Sequence, residues 1–310
     1  MGSSLLSVSD LGPAGIGQLV RRSVEFASGR LDDQKPLTGR IVGIYFAGSS
    51  TRTRTSFTVA SLRLGAQTIA YGPKDLQIST GETLEDSGRV LSGYLDALVV
   101  RTNGPVAEMQ ALSGGGRLPV INAMSAAEHP TQAIADLSTL HEHFGRLEGL
   151  HLLYVGEGNN SAAALALAFA QLPRMKCTLV TPEGYGLPAE VLAQADAYAQ
   201  VSGSEVVHHH RVDQLPEAVD AVYATRWQTM GVEKADKNWK SIFRPYRVDD
   251  AMMARVSRDE GTIFMHDLPA VRGQDVVDSV LDGPQSVAWR QAEHKLFSAM
   301  AVLEWAIAGS

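Results

Sequence analysis

The run Gly48-Ser49-Ser50-Thr51-Arg52-Thr53-Arg54-Thr55-Ser56-Phe57 packs hydroxyls and guanidinium groups into one short stretch, directly after the apolar segment 41–46. A turn that leaves the C-terminal end of a parallel strand and opens a helix presents unpaired N–H groups and the positive end of the helix dipole. Ser50, Thr51 and Thr53 add neutral donors there, and Arg52 adds a planar fork that matches phosphate oxygens. The lysine of a Walker-type loop is absent. A single Ser or Arg at such a place reads as an N-cap or a solvated first turn. The whole cluster at a strand–helix junction reads as an anion site.

Further along, Arg101 closes another apolar run, and His129 precedes Pro130. A proline biases the residue before it away from helical geometry and suits the first turn of a helix, so His129 is expected at a loop tip where a helix over 131–144 begins. Gly156-Glu157-Gly158-Asn159-Asn160 has the look of a nucleotide-binding turn but lacks the third glycine, since Ser161 and Ala162 follow. The adjacent His208, His209 and His210 would alternate faces on a strand and cannot all grip one ion, so no metal is expected. No cofactor is called for either.

These groups need a frame, and the pattern of short β-rich runs alternating with helical stretches supplies one: an α/β fold with mostly parallel sheets. Strands are expected over 41–46, 68–71, 96–101 and 120–123, with helices over 51–64, 82–95 and 131–144. The pattern then restarts, with strands over 151–155, 177–180, 205–209, 221–224 and 262–266, helices over 161–172 and 187–200, and a final amphipathic helix over 288–308. The segment 231–247 is expected to be irregular. At 310 residues the chain fits two lobes of about 150 residues each. The expectation is two doubly wound parallel-sheet domains linked by the helix over 131–144. The first spans 1–138 and is completed by 288–310; the second spans 139–287.

Net charge is −7 with acids and bases mixed along the chain, and no basic stripe marks a nucleic-acid surface. No apolar run reaches the length of a membrane span, and the first residues lack the basic and apolar regions of a secretion signal. Cys177 is the sole cysteine, so no intrachain disulfide is possible. A cytoplasmic protein is the expectation, with neither nucleic acid nor membrane as partner.

Ser50-Thr51-Arg52-Thr53-Arg54 with Ser56-Phe57 resembles the carbamoyl-phosphate signature of the aspartate and ornithine carbamoyltransferases. The resemblance continues in order through 75–83, Arg101, His129-Pro130-Thr131-Gln132, 142–150, 156–160 and His266-Asp267-Leu268-Pro269-Ala270 with Arg272-Gly273, and so covers nearly the whole chain. It implies transfer of a carbamoyl group from carbamoyl phosphate to an amine of an amino-acid acceptor. Ser50, Thr51, Arg52 and Thr53 would hold the phosphate. Arg101, His129 and Gln132 would surround the carbamoyl end, with Lys295 nearby and Gln77 lent to the site of a neighbouring chain. A homotrimer, or a multiple of one, is implied with it.

At the acceptor end the resemblance splits. The implied set is Asn160, Thr225, Arg226, Gln228, Thr229, Met230, Asp267 and Leu268. Ornithine-type members carry an aspartate where Thr225 stands and a cysteine where Asp267 stands, while Thr225, Arg226 and Gln228 reproduce the Thr-Arg-x-Gln of aspartate-type members. Arg226 reads equally as a carboxylate ligand and as a surface residue at a strand end. Lys295 replaces an arginine, keeping the charge but losing the fork. Asp267 is expected near the reacting nitrogen, as a catalytic group beside Arg52, Arg101 and His129. These departures lead to the expectation of a diamino-acid acceptor other than ornithine. Ornithine itself, giving citrulline, is the alternative, and a non-catalytic carbamoyl-phosphate-binding paralogue is the alternative of another class.

Overall fold

A computed structural model describes residues 2–30, 33–76, 80–228 and 233–309. It divides into two compact units, Met1–His143 with Glu293–Ser310, and Phe144–Ala292.

The first unit runs α1 (Gly12–Ala27), β1 (Ile41–Phe46), α2 (Arg52–Arg63), β2 (Gln67–Tyr71), α3 (Leu84–Leu91), β3 (Ala97–Arg101), α4 (Val106–Leu112), β4 (Val120–Met124) and α5 (Pro130–Phe144). Its sheet is wholly parallel in the order β2-β1-β3-β4. β3 and β4 are buried along their full length, as expected of Val- and Leu-rich strands covered on both faces. β2 is an edge strand with three of its five residues exposed, Ile69 among them. From β1 the chain goes to β2 on one side and then returns to β3 on the other. Ligands of doubly wound sheets bind at the C-terminal ends of strands where the order reverses in this way.

The second unit follows with β5 (His151–Val155), α6 (Asn160–Gln171), β6 (Lys176–Val180), α7 (Ala189–Ser202), β7 (Glu205–His209), β8 (Ala221–Ala224), α8 (Trp239–Phe243), α9 (Asp250–Val256), β9 (Ile263–His266) and α10 (Asp278–Leu281). Its parallel sheet has the order β7-β6-β5-β8-β9, with the reversal between β5 and β8. A core of Leu153, Val155, Val222, Ala224, Phe264 and Val276 lies under that reversal. The last helix, α11 (Ala288–Ala308), returns the chain to the first unit. Both sheets are doubly wound and parallel, and α5 carries the chain from one toward the other.

The segment expected to be irregular contains α8 and a short 3-10 turn at Arg244–Tyr246. Phe243 anchors it, since its ring is fully buried against Tyr185, Trp227 and Trp239. The chain's entry is also tied down. Leu5 bridges Ile121 of β4, and the Asn122 amide donates to the Leu6 carbonyl at 2.7 Å.

Candidate active site

The turn after β1 and the end of β3 meet at the reversal of the first sheet, where Phe46 pairs with Arg101. α2 starts at Arg52, and among the described residues its N-cap Thr51 makes no side-chain capping hydrogen bond. Phe57 and Ser56 are buried on the inner side of α2 and hold the helix, while the Arg54 guanidinium lies 5.2 Å from the Phe46 ring centroid. Ser50 and Arg52 are half-buried, Thr51 is exposed, and Thr53 is buried.

Arg101 is buried and donates through Nη1 to the Thr53 hydroxyl at 3.3 Å. Burial lowers its guanidinium to about 10, and the nearby Arg52 cation adds to that. It is still charged at neutral pH, so two guanidinium groups repel each other at one spot. An arriving dianion relieves that repulsion.

His129 stands where the sequence places it, one residue before α5, and its carbonyl accepts the Gln132 N–H at 3.0 Å. Burial holds its imidazole well below the usual 6.5, and Lys295 and Arg101 push it further in the same direction. His129 is therefore a neutral donor rather than a further cation beside Arg52, Arg101 and Lys295. Gln132 is fixed at both ends. Its amide donates to Asp136 at 2.8 Å, and the Lys295 ammonium, reaching in from α11, donates to its side-chain oxygen. Arg52, Thr53, Arg101, His129, Gln132 and Lys295 thus form one cluster within the first unit. Asp136, fully buried behind Gln132, belongs to the same array and carries no signal in the sequence beyond its helical spacing of four.

In the second unit, Gly156–Asn160 follows β5 and faces the residues after β8, as the pairing of Val155 with Ala224 requires. Asn159 caps α6 by accepting from the Ser161 and Ala162 N–H groups, and donates to the Thr225 hydroxyl at 3.1 Å. Gly156 has φ +136°, and a Cβ there would stand 3.0 Å from the Thr225 methyl, so a side chain would be strained and tightly packed. The Thr225 hydroxyl in turn donates to the Asp267 carboxylate, 3.1 and 3.2 Å from its two oxygens. Asp267 is 13% exposed, so a ligand can reach it.

Behind it, His266 accepts the Leu268 N–H through Nδ1 at 2.9 Å and meets Asp275 through Nε2 at 2.7 Å. That pair fixes Leu268, whose φ is +49°, and neither His266 nor Asp275 stands among the expected site residues. Asn160 is buried at the start of α6, and Arg226 and Gln228 are half-buried. Gln77, Thr229 and Met230 lie outside the described residues. His208 and His210 both engage Thr181, through Nε2 to its hydroxyl and Nδ1 to its carbonyl, each at 2.9 Å.

Residues 3–142 match the family described as aspartate/ornithine carbamoyltransferase, carbamoyl-P binding domain, and residues 148–306 match the Asp/Orn binding domain of the same family. The chain belongs to the aspartate/ornithine carbamoyltransferase family and is a carbamoyltransferase. It is 40% identical over 304 residues to the ornithine carbamoyltransferase of Thermosynechococcus vestitus, covering 97% of this chain and 95% of that one. To the ornithine carbamoyltransferase of Nostoc punctiforme it is 37% identical over 303 residues, covering 98% and 96%. The solved ornithine carbamoyltransferase of Pyrococcus furiosus superposes with a TM-score of 0.92 at 34% identity, covering 100% of this chain and 98% of that one.

These relatives correct the expectation of an acceptor other than ornithine. The structure supplies the physical reason why that inference from Thr225 misleads. The carboxyl group missing at 225 stands at 267, within hydrogen-bond distance of the Thr225 hydroxyl.

Proposed function

We propose that this chain transfers the carbamoyl group of carbamoyl phosphate to the side-chain amine of ornithine, giving citrulline and inorganic phosphate. The observation that carries the reading is the cluster of Arg52, Thr53, Arg101, His129, Gln132 and Lys295, in a chain whose relatives are ornithine carbamoyltransferases along their whole length.

In this reading the first unit holds carbamoyl phosphate. Arg52, the donors at the start of α2, and the hydroxyls of Ser50, Thr51 and Thr53 take the phosphate. Arg101 and the neutral His129 donate to the carbonyl oxygen and stabilise the charge that grows there as the carbon becomes tetrahedral. The Gln132 oxygen has two lone pairs. Lys295 takes one, and the other receives the carbamoyl NH2.

The second unit holds the acceptor through Asn160, Thr225, Arg226, Gln228, Asp267 and Leu268, with the Asp267 carboxylate opposite an ammonium group. The amine nitrogen bonds to the carbonyl carbon, the bond from that carbon to the phosphate oxygen breaks, and one amine proton leaves with phosphate. Positioning and electrostatics carry the rate, with no side chain needed as a general base.

A cytoplasmic homotrimer or multiple of one, its sites completed by Gln77 of a neighbouring chain, belongs to the same reading. Protein supplied with carbamoyl phosphate and ornithine is expected to form citrulline and phosphate in equal amounts. Absence of citrulline at every ornithine concentration would overturn the assignment.

A further inference from the structure

Lys234 is a cation placed where solvent does not reach it. Its side chain is 4% exposed, and its ammonium pairs with the Glu157 carboxylate, itself only 14% exposed. Three rings surround the same ammonium: Tyr185 at 4.4 Å, Phe243 at 4.8 Å and Trp239 at 5.6 Å from their centroids. The rings also brace one another, Tyr185 edge-on to Phe243 at 4.8 Å and Trp239 edge-on to Phe243 at 5.8 Å. Burying an ion pair this deeply costs desolvation that its mutual attraction barely offsets, so such a pair is weak evidence for stability. What it does impose is a position, because removing either partner leaves the other charge buried without its counter-ion.

The position it imposes is that of the turn after β5. Glu157 lies inside Gly156–Asn160, and hydrogen bonds at its backbone also tie that turn down. The Gly158 N–H donates to the Tyr185 carbonyl at 2.8 Å, and the Tyr154 hydroxyl donates to the Glu157 carbonyl at 2.8 Å. The turn carries Asn159, which holds Thr225 and through it Asp267, and Asn160, which opens α6. A side chain from the segment before α8 therefore reaches the acceptor residues through one ion pair.

We infer that Lys234 is a positioning residue for the acceptor: its caged ammonium fixes Glu157 and thereby the Gly156–Asn160 turn that carries Asn159 and Asn160. The inference rests on the proposed function, since it names a determinant of acceptor binding at that site. Lys234 touches no reacting atom in this account. It also marks Tyr185, Trp239 and Phe243 as parts of the acceptor machinery at one remove.

The test compares Lys234→Met, Lys234→Arg, Glu157→Gln and the Lys234→Met/Glu157→Gln double variant in the full chain. Lys234→Met is expected to raise KM for ornithine about tenfold or more while KM for carbamoyl phosphate stays within about twofold. Lys234→Arg, which keeps the cation, recovers part of the loss. The double variant, free of a stranded charge, folds normally but keeps the raised ornithine KM.

Hydrogen exchange read on 156–162 gives a second readout that needs no turnover. Exchange there should quicken in Lys234→Met and in the double variant, with the first unit unchanged. If wild-type protein makes no citrulline, the proposed function fails, and exchange alone decides the role of Lys234. Unchanged exchange over 156–162, or equal rises in both KM values, would overturn the inference.

Discussion

Replacing Glu128 by glutamine removes a carboxyl whose ionisation the fold resists. Glu128 precedes His129, is 8% exposed, and accepts the Val8 N–H at 2.6 Å. Burial raises it from 4.5 to about 7; hydrogen bonds from Val8 and the Ser7 hydroxyl act against the rise, and Asp10 adds to it. The gap between 4.5 and about 7 corresponds to about 3 kcal/mol. The sign follows from proton counting. Between those values the folded chain keeps a proton that the unfolded chain has released, so stability falls as pH rises through the window, and the whole cost is present above about 7.

Glutamine keeps the oxygen that Val8 needs and carries no charge. Glu128→Gln should match wild type near pH 4.5 and be more stable by up to about 3 kcal/mol near pH 8. Urea unfolding of both proteins across that range, followed by circular dichroism, measures the difference. Parallel stability curves, or a variant less stable than wild type near pH 8, would show that burial does not hold Glu128 protonated in the folded chain.

The same geometry yields three further expectations. Arg101→Lys keeps the charge but loses the fork that reaches Thr53, and should lower kcat about a hundredfold in steady-state assays. Because His129 is neutral well below 6.5, the pH profile of kcat should show no His129 inflection near 6.5. The unfolded chain does take up that proton, so wild-type stability should fall as pH drops through 6.5, and a His129→Gln variant should lose that part of the decline in urea titrations. Thr225→Asp places a second carboxylate against Asp267 and should destabilise the chain by about 2–4 kcal/mol, whereas Thr225→Asp with Asp267→Asn should restore both stability and the KM for ornithine.

Much of the frame was legible because both sheets are built from apolar runs that stop at glycine or polar turns, and β1, β5, β7, β8 and α11 keep their expected bounds. The strand–helix junction that carries Ser50–Thr53 was legible too, since its pattern is local to one turn. Contacts across the chain were not. Lys295 and Gln132 stand 163 residues apart and meet only because α11 returns to the first unit.

Thr225 and Asp267, 42 residues apart, meet because β8 and β9 are neighbours, and reading position 225 alone registers only the loss of a carboxyl group. Lys234 and Glu157, 77 residues apart, leave no periodic trace. Glu128 looks like any loop acid until the N-terminal segment covers it.

A crystal structure of the chain with carbamoyl phosphate bound shows directly which side chains meet each end of that ligand. Phosphate oxygens are expected against Arg52, Thr53 and the first turn of α2, with the carbonyl oxygen facing Arg101 and His129. Ligand density away from Arg52, or a carbonyl pointing away from both Arg101 and His129, would contradict that placement.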